Sequence, residues 1–335
     1  MKRLGIYEHW PSRQDLVSSY LKLKADMSPS WSTDLSTLRV YSEGGNSFKS
    51  LDADMRTVVV AEPPLARHVM TSLSRFSGQA LTNAVIEYLT DDNSANWLDP
   101  YTSATSYRYH SLLIQLQVHI GVPSLNQLMV TVSQCVLLGW LEEAKLLTSH
   151  TIVLYRQKQF FDVAGPFSQP LLHWFTRICF AYHGLEFNEW GNGRVRSADD
   201  PYKPGECLGE PVLNKLLENW KVRDLTQLQD ELVWVCDYYT YRASEEGMEF
   251  HNEPFNSYFP LLIFAWFRLR ASLGLENPKI DHPLMQTQPA LPAPKSLVKD
   301  DLLEAVLHRL QKEEIQEIYK YPPTPLTTVK KKRWF

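Results

Sequence analysis

Cysteine is scarce and scattered. Cys135, Cys179, Cys207 and Cys236 form no CxxC pair and no Cys/His spacing that builds a zinc site. A disulfide-stapled or zinc-ribbon fold is excluded, and the four are expected to be reduced thiols, three of them in helices. Long hydrophobic runs are missing as well. The longest strongly apolar run, YFPLLIFAWF (258–267), is about half of what a membrane span needs. The opening MKRLGIYEHWPSR starts basic, but Glu8 and His9 cut its apolar segment short, which does not suit a secretory signal, so the chain is expected to be cytoplasmic. Catalytic spacings are absent too. None of the ten histidines falls in HExxH, and there is no GxSxG elbow, no GxxxxGK[ST] loop and no GxGxxG. The nearest glycine pair, WGNGR (190–194), has no strand before it. No catalytic residue, metal ligand or cofactor is therefore assigned, and the chain is expected not to be an enzyme.

What is present is material for a large core: 44% apolar and 12% aromatic residues over 335 positions. Residues 1–75 read as a small mixed α/β region. In it Ser12 and Asp15 make a capping box for a helix over 11–27, while TLRVY (37–41) and RTVVVAE (56–62) have the β-branched content of short strands. From 76 to 276 the periodicity is helical. Segments 76–90, 107–121, 124–140, 142–160, 166–184, 211–220, 224–246 and 260–273 carry apolar residues at three- and four-residue steps. The predicted fold is mainly α, antiparallel helical hairpins packed as a multilayer bundle. Two long polar loops, 90–106 and 184–211, interrupt it. Five prolines from Pro278 to Pro294 mark a strap over 277–296, followed by an amphipathic helix over 297–321 and a basic tail over 322–335. Histidines 110, 119, 173 and 183 sit in aromatic helices and are expected to be hydrogen-bonded core residues.

Charge is uneven. The net charge of −4 includes Lys330, Lys331, Lys332 and Arg333 of the tail, so the remainder is twice as acidic as the whole. Between Asp224 and Glu253 eight carboxylates face a single arginine, Arg242. Such a field repels nucleic acid and attracts basic partners. The helix 224–242 places Leu225, Leu228, Leu232, Val235 and Tyr239 on a buried stripe, leaving Asp230, Trp234, Asp237, Tyr241 and Glu245 on the opposite side. That side either packs Trp234 and Tyr241 against a second helical layer or forms a binding face. In the binding reading the aromatic residues are anchors, and Asp230, Asp237, Glu245, Glu246, Glu249 and Glu253 are the acidic rim. A third reading, a hydrolytic metal site at Glu249, His251 and Glu253, has only an alternating spacing behind it. The next helix, PLLIFAWFRLRASLG, is apolar nearly all round and so central. Its Arg268 and Arg270 need partners, and nearby carboxylates are expected.

The succession LENWKVRDLTQLQDELVWVCDYYTYRAS and EFHNEPFNSYFPLLIFAWFRLRASLGLENPKIDHPLM, residues 217–285, resembles the helical immunity proteins of bacterial polymorphic-toxin and type VI secretion systems. The resemblance rests on an acidic-to-aromatic helix, then a buried helix ending in arginines, then an HPL segment. It implies a cytoplasmic, non-catalytic protein that binds a cognate secreted toxin and covers its active or substrate-binding surface. It is nearest to those paired with nucleases. Independently, nuclease toxins are basic because they bind phosphates, which suits the acidic field. The resemblance assigns no individual residue. Neither nucleic acid nor membrane is an expected partner, and a helical adaptor or effector chaperone is the alternative.

Overall fold

Ser12 opens the first helix as its spacing with Asp15 predicts: each side chain accepts from the other's backbone amide. The spacing does not show how far that helix runs. α1 (Arg13–Ser42) continues through Pro29 and through TLRVY, the expected strand. Leu38 and Tyr41, three residues apart, are completely buried there, and a helical burial of that size outweighs a β-branched preference of about 0.5 kcal/mol per residue.

The structure is a computed structural model that describes residues 3–51, 57–60, 65–90, 96–118, 122–156, 169–185, 210–244, 250, 256, 258–286 and 291–313. After α1 come β1 (Phe48–Leu51) and β2 (Thr57–Val60), an antiparallel hairpin pairing Phe48 with Val60 and Leu51 with Thr57. Then follow α2 (Ala66–Thr90), α3 (Leu98–Val118), α4 (Leu125–Leu138), α5 (Leu141–Arg156), α6 (Pro170–His183) and α7 (Pro211–Glu218). A short 3-10 turn (Thr226–Leu228) leads into α8 (Gln229–Ser244), and α9 (Leu261–Ser272), α10 (Pro283–Gln286) and α11 (Asp301–Glu313) complete the order. The fold is mainly helical. A separate mixed α/β region over 1–75 is not what forms: one helix takes 13–42, α2 runs through residue 75, and strand pairing among the described residues is confined to the one hairpin.

α1, α2 and α3 lie side by side, α4 packs on α3, α5, α6 and α9, and α7 and α8 extend the stack from α6. α4 is buried at every position except Asn126 and Gln127, and α9 from Leu261 to Phe267, so these two form the centre, as the apolar sequence of α9 predicts. The expected polar loop 90–106 is helical from Leu98 onward. Tyr101, Thr102 and Thr105 are buried, and the two threonines return their hydroxyls to the carbonyls of Leu98 and Tyr101, at 2.6 and 2.8 Å. Those bonds let a polar sequence line a helix interior. Between α1 and α2, Asp34 is completely buried. It accepts from Ser72 at 2.9 Å with Arg75 at 4.0 Å, and burial pushes its carboxyl up to about 6.

Helix ends are closed by arginines. Arg13 donates to Leu89 and Tyr88 carbonyls at the end of α2, Arg309 to Tyr41 and Gly45 carbonyls at the end of α1, and Arg268 to the Leu137 carbonyl at the end of α4. Arg270, completely buried, donates to the carbonyls of Trp220, Val222, Arg223 and Glu276 and to Asn277 Oδ1. Carboxylates are the expected neighbours of Arg268 and Arg270, but among the described residues their partners are backbone carbonyls and the Asn277 side chain. Clustered carbonyl dipoles at a helix or loop end satisfy a guanidinium fork without a second buried charge to desolvate.

The proline-rich stretch after α10 runs back along the bundle. Lys295 donates its amide to the Leu138 carbonyl at 3.0 Å and accepts from Trp140 Nε1 at 2.7 Å, Arg268 holds the Pro292 carbonyl, and Ser106 holds the Val298 carbonyl. α11 then lays Leu303, Val306, Leu307 and Leu310, all buried, against the body beside α1. Residues 314 to 321 of the expected helix and the basic tail lie outside the described residues.

Candidate functional site

α8 is buried on both sides. The stripe Leu225, Leu228, Leu232, Val235 and Tyr239 is in the core as its spacing predicts, but Trp234 and Asp237 on the other side are buried too. Trp234 stacks on Tyr238, with ring centroids 4.8 Å apart, and the Tyr238 hydroxyl donates to Glu210, which precedes α7. Asp230 is exposed and Tyr241 half-buried. Glu245, Glu246, Glu249 and Glu253, with His251, lie outside the described residues.

Asp237 is the node of this side. Its side chain is completely buried, and both carboxylate oxygens are engaged. Oδ2 accepts from Arg3 Nε at 3.1 Å and from the Gly5 amide at 2.9 Å, and Oδ1 accepts from His282 Nε2 at 3.0 Å and Arg3 Nη2 at 3.5 Å. The partner of His282 at its other nitrogen fixes the tautomer: the Leu284 amide donates to Nδ1 at 3.0 Å, so Nδ1 is bare and Nε2 carries the proton given to Asp237. Burial holds His282 below the usual imidazole range against the pull of Asp237, so it is neutral near pH 7. With both nitrogens committed and no exposure, this pair orients and anchors. It has no free lone pair with which to take a proton from a substrate.

One turn on, Thr240 Oγ1 donates to the Asp237 carbonyl at 2.6 Å and accepts from the Tyr7 amide at 3.0 Å. The Tyr7 ring meets Tyr241 at 4.8 Å, and Trp10 stacks on Tyr258 at 5.1 Å. The side of α8 expected to face a partner is thus covered by residues 3–10 of the same chain. Sequence periodicity could place Asp237 and Tyr241 on one face. It could not show that Arg3, 234 residues away, lies over them, although Arg3, Gly5 and Tyr7 do carry an alternating pattern.

His110 and His173 behave as core groups. His110 Nδ1 meets the Ser106 carbonyl at 2.8 Å, His173 Nδ1 meets the Tyr155 hydroxyl at 2.7 Å, and burial holds them at about 4 and about 3. His183 is half-buried and His119 lies outside the described residues. Cys135, Cys179 and Cys236 are buried free thiols in helices, their acidity suppressed by burial. No described group of three His, Cys, Asp or Glu side chains could hold a metal ion, and no described helix is long and apolar enough to cross a membrane.

No family model matches the chain, and neither a curated protein nor a solved structure does so.

Proposed function

We propose that the protein is a binding protein of the immunity type, which holds a basic secreted toxin, a nuclease effector first among the candidates, through the Asp237 side of α8. One observation carries this reading. A carboxylate at the floor of that side, already desolvated and oriented by His282, receives an arginine from a segment without helix or strand. A buried, preorganised carboxylate selects guanidinium groups from a polypeptide, and acidic neighbours steer basic chains to it. Asp230 on the exposed edge of α8, and in sequence Glu245, Glu246, Glu249 and Glu253, extend the acidic field.

Coexpression with a basic candidate toxin, sought first among the products of neighbouring genes, tests the reading. A stable complex, growth protection and an inactive toxin are expected. Charge reversal at Glu245, Glu246 and Glu249 should slow association, and the loss should shrink as salt rises. A complex in which the neighbouring protein keeps full activity would point to the adaptor or effector-chaperone reading. Normal protection and binding by the reversed variant would place the contact elsewhere.

A further inference from the structure

Residues 3–10 have the marks of an occupant of α8: only Trp10, at their end, packs against the core. None of the eight is buried. Positions 3, 5 and 7 make the contacts, while Leu4 and Ile6 between them are 44% and 37% exposed. The groups they cover are the reverse: Asp237 and Thr240 have no exposure at all. Most of the polar recognition passes through two side chains of one helical turn, Asp237 and Thr240, and Tyr241 of the same turn supplies an aromatic wall.

We propose that this turn of α8 is a peptide-recognition site for an arginine, then a residue with positive φ two positions on, then an aromatic residue two further on, and that residues 3–10 fill it in cis. Each requirement follows from the contacts. The arginine spans both oxygens of Asp237, which a lysine's single ammonium would not reproduce. The middle residue must bring its amide to Oδ2. At Gly5 it does so with φ +84°, and a Cβ there would meet nothing within 4 Å. Glycine is thus required by its backbone and not by space, and asparagine is the next residue able to serve. The aromatic residue is fixed by its amide on Thr240 and its ring on Tyr241. The lock is built without the key, because His282, itself fixed by the Leu284 amide, holds Asp237 from the protein side. This inference takes from the proposed function only that the partner is a polypeptide.

A strap in cis competes at an effective concentration in the millimolar range, so the site in the wild-type chain should reject weak ligands. The test uses the full-length chain and a labelled synthetic peptide, KRLGIYEHWPS, copied from residues 2–12. Gly5→Pro removes the donated amide and the positive φ, and so unseats the strap while leaving α8 untouched. Fluorescence anisotropy should show at least tenfold tighter binding of the peptide to Gly5→Pro than to wild type. Replacing the peptide's arginine by alanine, which alters nothing in the protein, should lower that affinity at least tenfold, and replacing it by lysine should lower it less. Equal binding to both proteins, no binding to a cooperatively melting Gly5→Pro chain, or indifference to the arginine would overturn the proposal. Loss of cooperative melting in Gly5→Pro would overturn it too, by making residues 3–10 a core element. Wild-type dimers that form with concentration and are abolished by Gly5→Pro would overturn it in favour of strap exchange between two copies. No toxin enters these measurements, so failure of the immunity reading and failure of this site are separately visible.

Discussion

Two non-helical straps lie on the bundle, and their backbones are fastened largely in opposite senses. In residues 291–300 the backbone chiefly accepts: carbonyls of Pro292, Lys295 and Val298 take hydrogen bonds from Arg268, Trp140 and Ser106, the Lys295 amide reaches Leu138, and the Lys295 ammonium on Asp99 and the Tyr107 hydroxyl on Asp300 add side-chain bonds. Residues 3–10 are held through the Arg3 side chain, the donated amides of Gly5 and Tyr7, and two aromatic rings, with a carboxylate and a hydroxyl of α8 accepting. A strap held by its carbonyls is specified by the body it lies on. A strap that offers an arginine, two amides and aromatic rings to side chains of the body can be imitated by any chain that presents them at the same spacing. The contrast separates a structural element from an exchangeable one.

The largest effect expected is at Arg268. Arg268→Met leaves the Leu137 and Pro292 carbonyls without their donor and should cost about 3 kcal/mol in chemical denaturation. Arg3→Met leaves the buried Asp237 carboxylate with His282 and the Gly5 amide, and since the arginine is itself 55% exposed it should cost less, about 1–2 kcal/mol. Equal costs would break the contrast. A second comparison uses two glycines with nearly the same backbone, Gly5 at φ +84° and Gly139 at φ +86°. A Cβ at Gly5 meets open space, whereas one at Gly139 comes 2.8 Å from Pro294 Cβ in the trailing strap. Both alanine variants pay about 1 kcal/mol of backbone strain, and Gly139→Ala should lose about 1–2 kcal/mol more by pushing the strap off.

The pH response sharpens the contrast further. His282 has a depressed folded value, so the stability it contributes is fully present above the unfolded value of about 6.5 and is lost as pH falls through the lower folded value. Protonation would put a hydrogen on Nδ1 and break the bond from the Leu284 amide. In amide NMR spectra the Gly5 and Leu284 signals should therefore shift or broaden as pH falls below the usual imidazole range, before that of Lys295. Simultaneous loss of all three would show that the straps are one unit. The smallest effect is Trp140→Phe, which removes a single donor to the Lys295 carbonyl. It should cost about 1 kcal/mol and leave peptide binding at α8 unchanged.

The sequence was legible where a local rule governed. The Ser12–Asp15 box, the buried stripe from Leu225 to Tyr239, the apolar surround of α9 and the core placement of His110 and His173 each follow from spacing within a few residues. It misled where a local preference met a tertiary demand. TLRVY has the composition of a strand, yet burial of Leu38 and Tyr41 on one helical face decides its state. Polar residues at 98–106 resemble a loop until the threonines are seen to satisfy their hydroxyls on their own helix. Arg268 and Arg270 announced a need for partners, but nothing in the chain marks a carbonyl as an acceptor, since every residue has one.

The sequence by itself determined a mainly helical chain, with α9 and the Leu225–Tyr239 stripe inside and an excess of carboxylates between Asp224 and Glu253. These follow from residue type and helical period alone. Only the tertiary structure decided that Asp237 is no exposed rim charge but the floor of a site filled by Arg3 and Gly5. The reason is physical: periodicity assigns a residue to a face of its helix, and whether water, another helix or a distant stretch of the same chain covers that face depends on long-range packing and on hydrogen bonds between residues that sequence spacing cannot connect.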